Sequence, residues 1–241
     1  MESKIISGIQ QIGIGITDLM NAWKWYKDVF GTDIRVFEDK TQAELMLPYT
    51  GGVARNRHAA LAFNLQGGGG FEIWQYTDRT PQPAGFDMKL GDLGIYAAKV
   101  KCKNLHDTYR SFQDKGLELL DQPRKDPNGE ETFFVRDPFD NIFQLVEGNS
   151  WYKNEKKPTG GAYGAVIGVT DIDRSLQVYS GILGYDRVIY DERKAFDDLS
   201  PLPGGQNEFR RVLLTHSNPR QGGFSPLLGD SMIELVEVTN R

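Results

Sequence analysis

Residues 10–31 read QQIGIGITDLMNAWKWYKDVFG, and residues 163–184 read YGAVIGVTDIDRSLQVYSGILG. Each passes from an apolar strand through Thr-Asp into a helical stripe and closes on glycine. Asp18 and Gly31 are 13 residues apart, as are Asp171 and Gly184. An aspartate at a helix start accepts amide protons that have no partner inside the helix, and a glycine past the end takes the left-handed conformation. Ala22, Trp23, Tyr26, Val29 and Phe30 recur at helical spacing in the first copy, and Ile172, Leu176, Tyr179 and Leu183 in the other.

A third copy lies between them: a strand at residues 94–101, a cap at Asn104, the stripe Leu105, Tyr109 and Phe112, and Gly116 as the close. Its cap-to-glycine interval is 12, one residue shorter. Runs rich in β-formers follow each helix. They cover residues 33–37, 43–47, 58–65 and 71–76 in the first copy, 131–135 and 141–146 in the second, and 187–190, 210–215 and 231–238 in the last. The endings also match, with Glu72 to Arg79 and Glu234 to Arg241 both spanning 7. The order is βαβββ three times, an internal repeat that fixes the fold class as α+β. The modules span 1–79, 91–148 and 162–241, joined by linkers 80–90 and 149–161 that carry Pro and Gly.

Composition sets the outer limits. With 39% hydrophobic and 25% charged residues the chain is of ordinary globular type. The net charge is −5, and basic residues adjoin only in pairs such as Lys156-Lys157 and Arg210-Arg211, which leaves a nucleic-acid backbone out as the expected partner. Cys102 is the single cysteine, so neither an intrachain disulfide nor a thiolate cluster forms. The N-terminus lacks a secretory pattern, and no run approaches the roughly 18 apolar residues that cross a bilayer. The expectation is a cytoplasmic protein with no membrane partner.

Residues 136–147, RDPFDNIFQLVE, look like the arginine-aspartate-proline turn and last module strand of the vicinal-oxygen-chelate superfamily. That superfamily includes glyoxalase I, bleomycin- and fosfomycin-resistance proteins and extradiol dioxygenases. The resemblance implies curled mixed sheets that pair into a cleft, in which a divalent cation held by first- and last-strand residues chelates neighbouring substrate oxygens. Carried over, the first module offers Gln11, seven residues before Asp18, and Glu72, while the second offers Gln144. The second module's first-strand position is open between Asp92, by textual similarity, and Ala97, by counting seven back from Asn104. Trp74 and Tyr76 share strand parity with Glu72 and would hold an apolar substrate.

The implied site is therefore Gln11, Glu72 and Gln144, with Asp92 if it rather than Ala97 holds the open position, and with Glu72 also the catalytic base unless Asp92 contributes. Oxygen-only donors suit hard cations such as magnesium or manganese. His58, His106 and His216 all lie elsewhere, which disfavours extradiol chemistry. The resemblance thus implies a metal-dependent lyase or isomerase, with a metal-free binder of the bleomycin-resistance type as the alternative. On the residues alone, Glu72 and Glu234 also read as solvent-facing strand glutamates, and Gln11 and Gln144 as interior amides.

The same reading pairs the first module with the second. It leaves the third, with Gly164 and Glu234 at its ligand positions, unpartnered, so the expectation is either a homodimer or a longer chain with a fourth module. Gly67–Gly70 precedes a strand and lacks the Lys-Ser/Thr of a phosphate loop, which makes it a flexible hairpin turn.

Overall fold

The structure is a computed structural model and describes residues 5–239, so Arg241 and the end of the matched 7-residue spacing lie outside the described residues. The first module contains β1 (Gln11–Gly15), α1 (Leu19–Phe30), β2 (Ile34–Gln42), β3 (Asn56–Phe63) and β4 (Gly70–Tyr76). The second contains β5 (Gly94–Cys102), α2 (Leu105–Asp114), β6 (Glu118–Leu119), β7 (Arg124–Lys125), β8 (Glu131–Arg136) and β9 (Ile142–Glu147). The third contains β10 (Thr159–Gly168), α3 (Ile172–Tyr179), β11 (Arg187–Lys194), β12 (Phe209–Thr215), α4 (Ser225–Leu228) and β13 (Met232–Val238).

One device starts all three long helices. Asp18, Asn104 and Asp171 accept the amides of Asn21, Asp107 and Arg174 at 3.1, 2.8 and 2.9 Å. The first helical amide, which no cap side chain reaches, goes to the module's last strand. Leu19, Leu105 and Ile172 donate to Gln75, Glu147 and Glu237 at 3.0, 2.7 and 2.8 Å. Each of these acceptors lies three residues beyond Glu72, Gln144 or Glu234, so the cap and the strand position one another in every module. The apolar stripe of α1 then buries Leu19, Ala22, Tyr26, Val29 and Phe30.

The expected strand at 43–47 is instead a 3-10 turn, Glu44–Tyr49. Pro48 has no amide for a ladder, and β2 already continues to Gln42, where it pairs with Asn56. The Gly67–Gly70 turn is not a free hairpin tip. A Cβ on Gly68 would lie 1.6 Å from the Leu227 carbonyl oxygen, so the turn is wedged against the third module.

Sheet topology corrects the expected pairing of modules. The first module forms its own sheet, β1-β4-β3-β2, and the other two share one of order β11-β12-β13-β10-β5-β9-β8-β6. Their first strands join antiparallel, with Ala98 opposite Ala165 and Val166 opposite Ala97. The third module is therefore partnered, and the module without a sheet partner is the first. It lies back to back on the second through a core that includes Tyr26, Phe30, Phe71, Phe133 and Phe143. Phe30 and Phe143 are 4.8 Å apart between ring centroids. The reason is chemical: the helix-side faces of the first two modules are rich in aromatic rings, whereas β5 and β10 meet through small residues that let their backbones approach.

Candidate functional site

Two concave faces result, and they differ in content. On the first module, register places Gln11, Gly13 and Gly15 of β1 on the same face as Glu72, Trp74 and Tyr76 of β4. Leu61, Ala59 and Arg57 of β3 stand opposite those three. Gln11 Nε2 donates to Glu72 Oε2 at 2.6 Å. Trp74 and Tyr76 meet edge to face at 6.1 Å. The Arg57 guanidinium lies 4.5 Å above the Trp74 ring and is paired with Asp39 at 2.5 Å. Beyond Gly13 and Gly15 a Cβ would meet nothing within 4 Å, so this face is open.

The second concave face, between the second and third modules, is closed. Phe196, Leu199 and Leu202, from the segment between β11 and β12, pack on Ala97, Phe134, Ile142 and Val166. Where the first module has an open Gln/Glu pair, Lys99 Nζ lies 2.5 Å from both Gln144 Oε1 and Glu234 Oε2. Arg211, wholly buried, binds Glu234 and also Asp198, the latter at 2.6 Å. Burial works against the Glu234 charge, but Arg211 and then Lys99 outweigh it and lower its carboxyl to about 2. Arg211 is likewise held in its charged form: burial opposes it, and Glu234, Tyr190 and Asp198 overcome that. This cluster is an internally neutralised network rather than a vacancy for a ligand.

Of the expected site residues, Gln11 and Glu72 come together, with Trp74 and Tyr76 beside them. Gln144 does not join them: it is buried on the other face, bonded to Lys99 and, at 3.1 Å, to Thr132. Asp92 does not join them either. It precedes β5 and accepts the Lys89 amide at 2.8 Å, closing a turn. Ala97 holds the second module's first-strand position, paired with Ile142 and Val166. The sequence reading overlooked Arg57, whose place beside Trp74 emerges only from the β3–β4 register. It also missed Lys99 and Arg211, although Lys99 shares parity with Ala97. His58, His106 and His216 sit apart, against Glu38, Glu131 and the Asn218 carbonyl.

The glyoxalase/bleomycin resistance protein/dioxygenase superfamily model matches residues 8–145, more than half of the chain, and the chain belongs to that family. No curated protein sequence matches it. Among solved structures it is similar to glyoxalase I from Zea mays, at 14% identity and a TM-score of 0.53, over 97% of this chain and 68% of that one. A candidate dioxygenase from Bacillus subtilis strain 168 aligns at 15% identity and a TM-score of 0.59, over 99% of this chain and 66% of that one. A glyoxalase family protein from Bacillus cereus aligns at 14% and 0.50, over 61% of this chain and 97% of that one. At these identities the likeness is one of fold, and chemistry has to be argued from the site. Among the described residues no helix is long and apolar enough to cross a membrane.

Proposed function

We propose that the open face of the first module binds a small organic molecule bearing neighbouring oxygens. The observation that carries this is the Gln11–Glu72 pair, 2.6 Å apart at the head of a face built from Trp74 and Tyr76. Glu72 is otherwise free of cationic side chains among the described residues, so its second oxygen remains an acceptor for a ligand hydroxyl. The Gln11 carbonyl oxygen offers another acceptor beside it. The two rings supply apolar surface, and Arg57, fixed by Asp39, stiffens the Trp74 end.

A divalent metal of the kind associated with the family would have to be held by these residues. Gln11 and Glu72 give two oxygen donors, Gln144 and Asp92 are elsewhere, and among the described residues no group of three or more His, Cys, Asp and Glu converges. The described residues do not fit a complete cation centre. The reading is therefore a ligand-binding member of the family. A lyase or isomerase in which Glu72 removes a proton next to a carbonyl is the second reading, favoured by the Glu72 carboxylate oxygen that the Gln11 hydrogen bond does not occupy.

The test is titration with aromatic and aliphatic 2-hydroxycarbonyl compounds, followed by tryptophan fluorescence, in protein purified without chelator and then offered magnesium, manganese, zinc, nickel or ferrous iron. A saturable change that weakens at least about tenfold in Glu72→Ala and in Trp74→Ala supports the site. Binding indifferent to both substitutions would remove this face from consideration. Tight retention of an ion by the wild type, lost in Glu72→Ala, would favour the enzymatic reading.

A further inference from the structure

A cavity of about 700 Å³ lies beside β1, and neither Gln11 nor Glu72 lines it. Ile12 and Ile14 of β1 form one wall. The 80–90 linker forms a second, carrying Phe86 and Met88 to the space from its anchor at Leu90, which is buried and donates to the Pro203 carbonyl at 2.8 Å. The third wall belongs to the second module, with Ile95 and Tyr96 at the start of β5 and Arg136 at the end of β8. Phe86, Met88 and Ile95 are 65%, 55% and 56% exposed, so the walls keep apolar surface available to a ligand. The volume suits a small organic molecule.

The polar groups at this cavity are unfinished. The Tyr96 hydroxyl is buried and has no hydrogen-bond partner among the described residues, whereas buried hydroxyls are almost always bonded. Burial raises the phenol to about 12, against the nearby Arg136 charge, so it stays protonated and able to donate. Arg136 is not committed either. Glu118 lies 3.1 Å from its Nε without the alignment of a hydrogen bond, and Asp140 stands 3.6 Å from its Nη1. Both carboxylates are largely exposed, at 61% and 88%, and such solvated pairs hold a guanidinium only weakly. Asp87 and Lys89, which also line the cavity, balance each other in charge.

We infer that this cavity binds a small organic carboxylate, its apolar body between β1 and the linker and its carboxylate on Arg136 and Tyr96. A guanidinium and a phenol together give a carboxylate the donors that both of its oxygens accept, and charge-assisted bonds of this kind are stronger than neutral ones. A ligand carboxylate shielded by the linker would displace two solvated partners of Arg136 and supply the acceptor that the Tyr96 hydroxyl lacks. The site is separate from the open face of the first module and does not rest on the function proposed for it.

The test is isothermal titration of the purified chain with 1-naphthylacetate and decanoate, each beside its amide, which keeps the shape without the charge. The acids should bind saturably and the amides at least about tenfold more weakly. Tyr96→Phe should weaken the acids about tenfold, while thermal unfolding of the ligand-free chain stays where it is or moves up, because the deleted hydroxyl had no partner. Ile95→Trp, which fills the space from an exposed position, should abolish binding. No binding of either acid, equal binding of acid and amide, or acid binding indifferent to Tyr96→Phe and Ile95→Trp would overturn the proposal. So would loss of acid binding in Glu72→Ala, which would put the acid on the open face. The 2-hydroxycarbonyl titration of that face should be unchanged in Tyr96→Phe, so the two readings fail separately.

Discussion

Lys99 Nζ lies 2.5 Å from a Glu234 carboxylate oxygen, an ion pair that joins the second module to the third with both side chains almost wholly removed from solvent. The corresponding first-module positions are Gly13 and Glu72, which leave their face open. Lysine in place of glycine, together with Arg211 and the packed Phe196, Leu199 and Leu202, thus separates a sealed face from an accessible one.

Removing the ammonium should be costly. Lys99→Met leaves Glu234 with Arg211 as its one cation beside the Tyr190 hydroxyl and strips Gln144 of a donor, and breaking a buried pair from one side costs roughly 3–5 kcal/mol. Urea unfolding should show that loss, and Lys99→Met/Glu234→Gln should be less destabilised than the sum of the single changes. Additive effects would mean that the pair is not coupled.

Acid should act through the same carboxylate. The folded Glu234 group sits below its ordinary value of 4.5, at about 2, so it contributes stability at higher pH that is lost as pH falls from 4.5 towards 2. In Lys99→Met the group has lost one of its two cations, and its part of the acid transition should begin at higher pH. Denaturant midpoints recorded across pH 2–5 for both proteins will show whether it does.

Lys101 gives the opposite sign. It is fully buried, its Nζ donating to the Ser150 carbonyl at 2.7 Å beneath the Trp151 and Tyr163 rings, and burial lowers it from 10.5 to about 8 despite help from Asp230. The unfolded chain holds this proton more tightly, so stability should rise as pH increases from 8 to 10.5. The gain from this residue is on the order of 3 kcal/mol. Burial raises Cys102, Tyr96 and Tyr163 to about 12, and these groups oppose the trend at the alkaline end. The diagnostic is therefore the difference between wild type and Lys101→Met, which should grow across that window and would stay flat if Lys101 kept its ordinary value.

Tyr26 donates to Asp137 at 2.5 Å, tying α1 to the turn before β9. Asp137 also accepts the amides of Phe139 and Asn141, both at 2.8 Å, so it keeps partners when the phenol is lost. Tyr26→Phe should destabilise by about 1–3 kcal/mol. A neutral result in urea unfolding would show that the link contributes nothing to the stacking of the first two modules.

Gly68 offers a packing test. It holds φ +76° and faces the Leu227 carbonyl, so Gly68→Ala combines a disfavoured backbone with a clash. About 1–3 kcal/mol or more should be lost. Wild-type stability in that variant would contradict the wedged turn.

The repeat itself was legible because its helix caps are local chemistry. Asp18, Asn104 and Asp171 announce themselves by sequence, and the strands follow by spacing. Which modules share a sheet was not legible, since all three first strands alternate small and apolar residues and any two could meet. The choice is made by long-range packing, in the rings of Tyr26, Phe30 and Phe143 and in the close approach of β5 to β10. Gln11, Glu72 and Gln144 were named through the resemblance alone, and it is the long-range packing that sets Gln11 beside Glu72 and Gln144 beside Lys99. Lys99 and Arg211 could not be assigned from the text, because nothing nearby in sequence names their partners.

The seam between β5 and β10 puts the repeat unit and the cooperative unit out of phase. The family model spans the first two modules, yet the ladder runs between the second and third, across the connection at 149–158. A protease cut there would not release two domains. It would leave the halves of one sheet bound without a covalent bridge, and their parting would bare two long strand edges at once, the condition in which β-proteins aggregate. Nicked protein should therefore migrate as intact until denaturant is added, and then fail to recover on dilution.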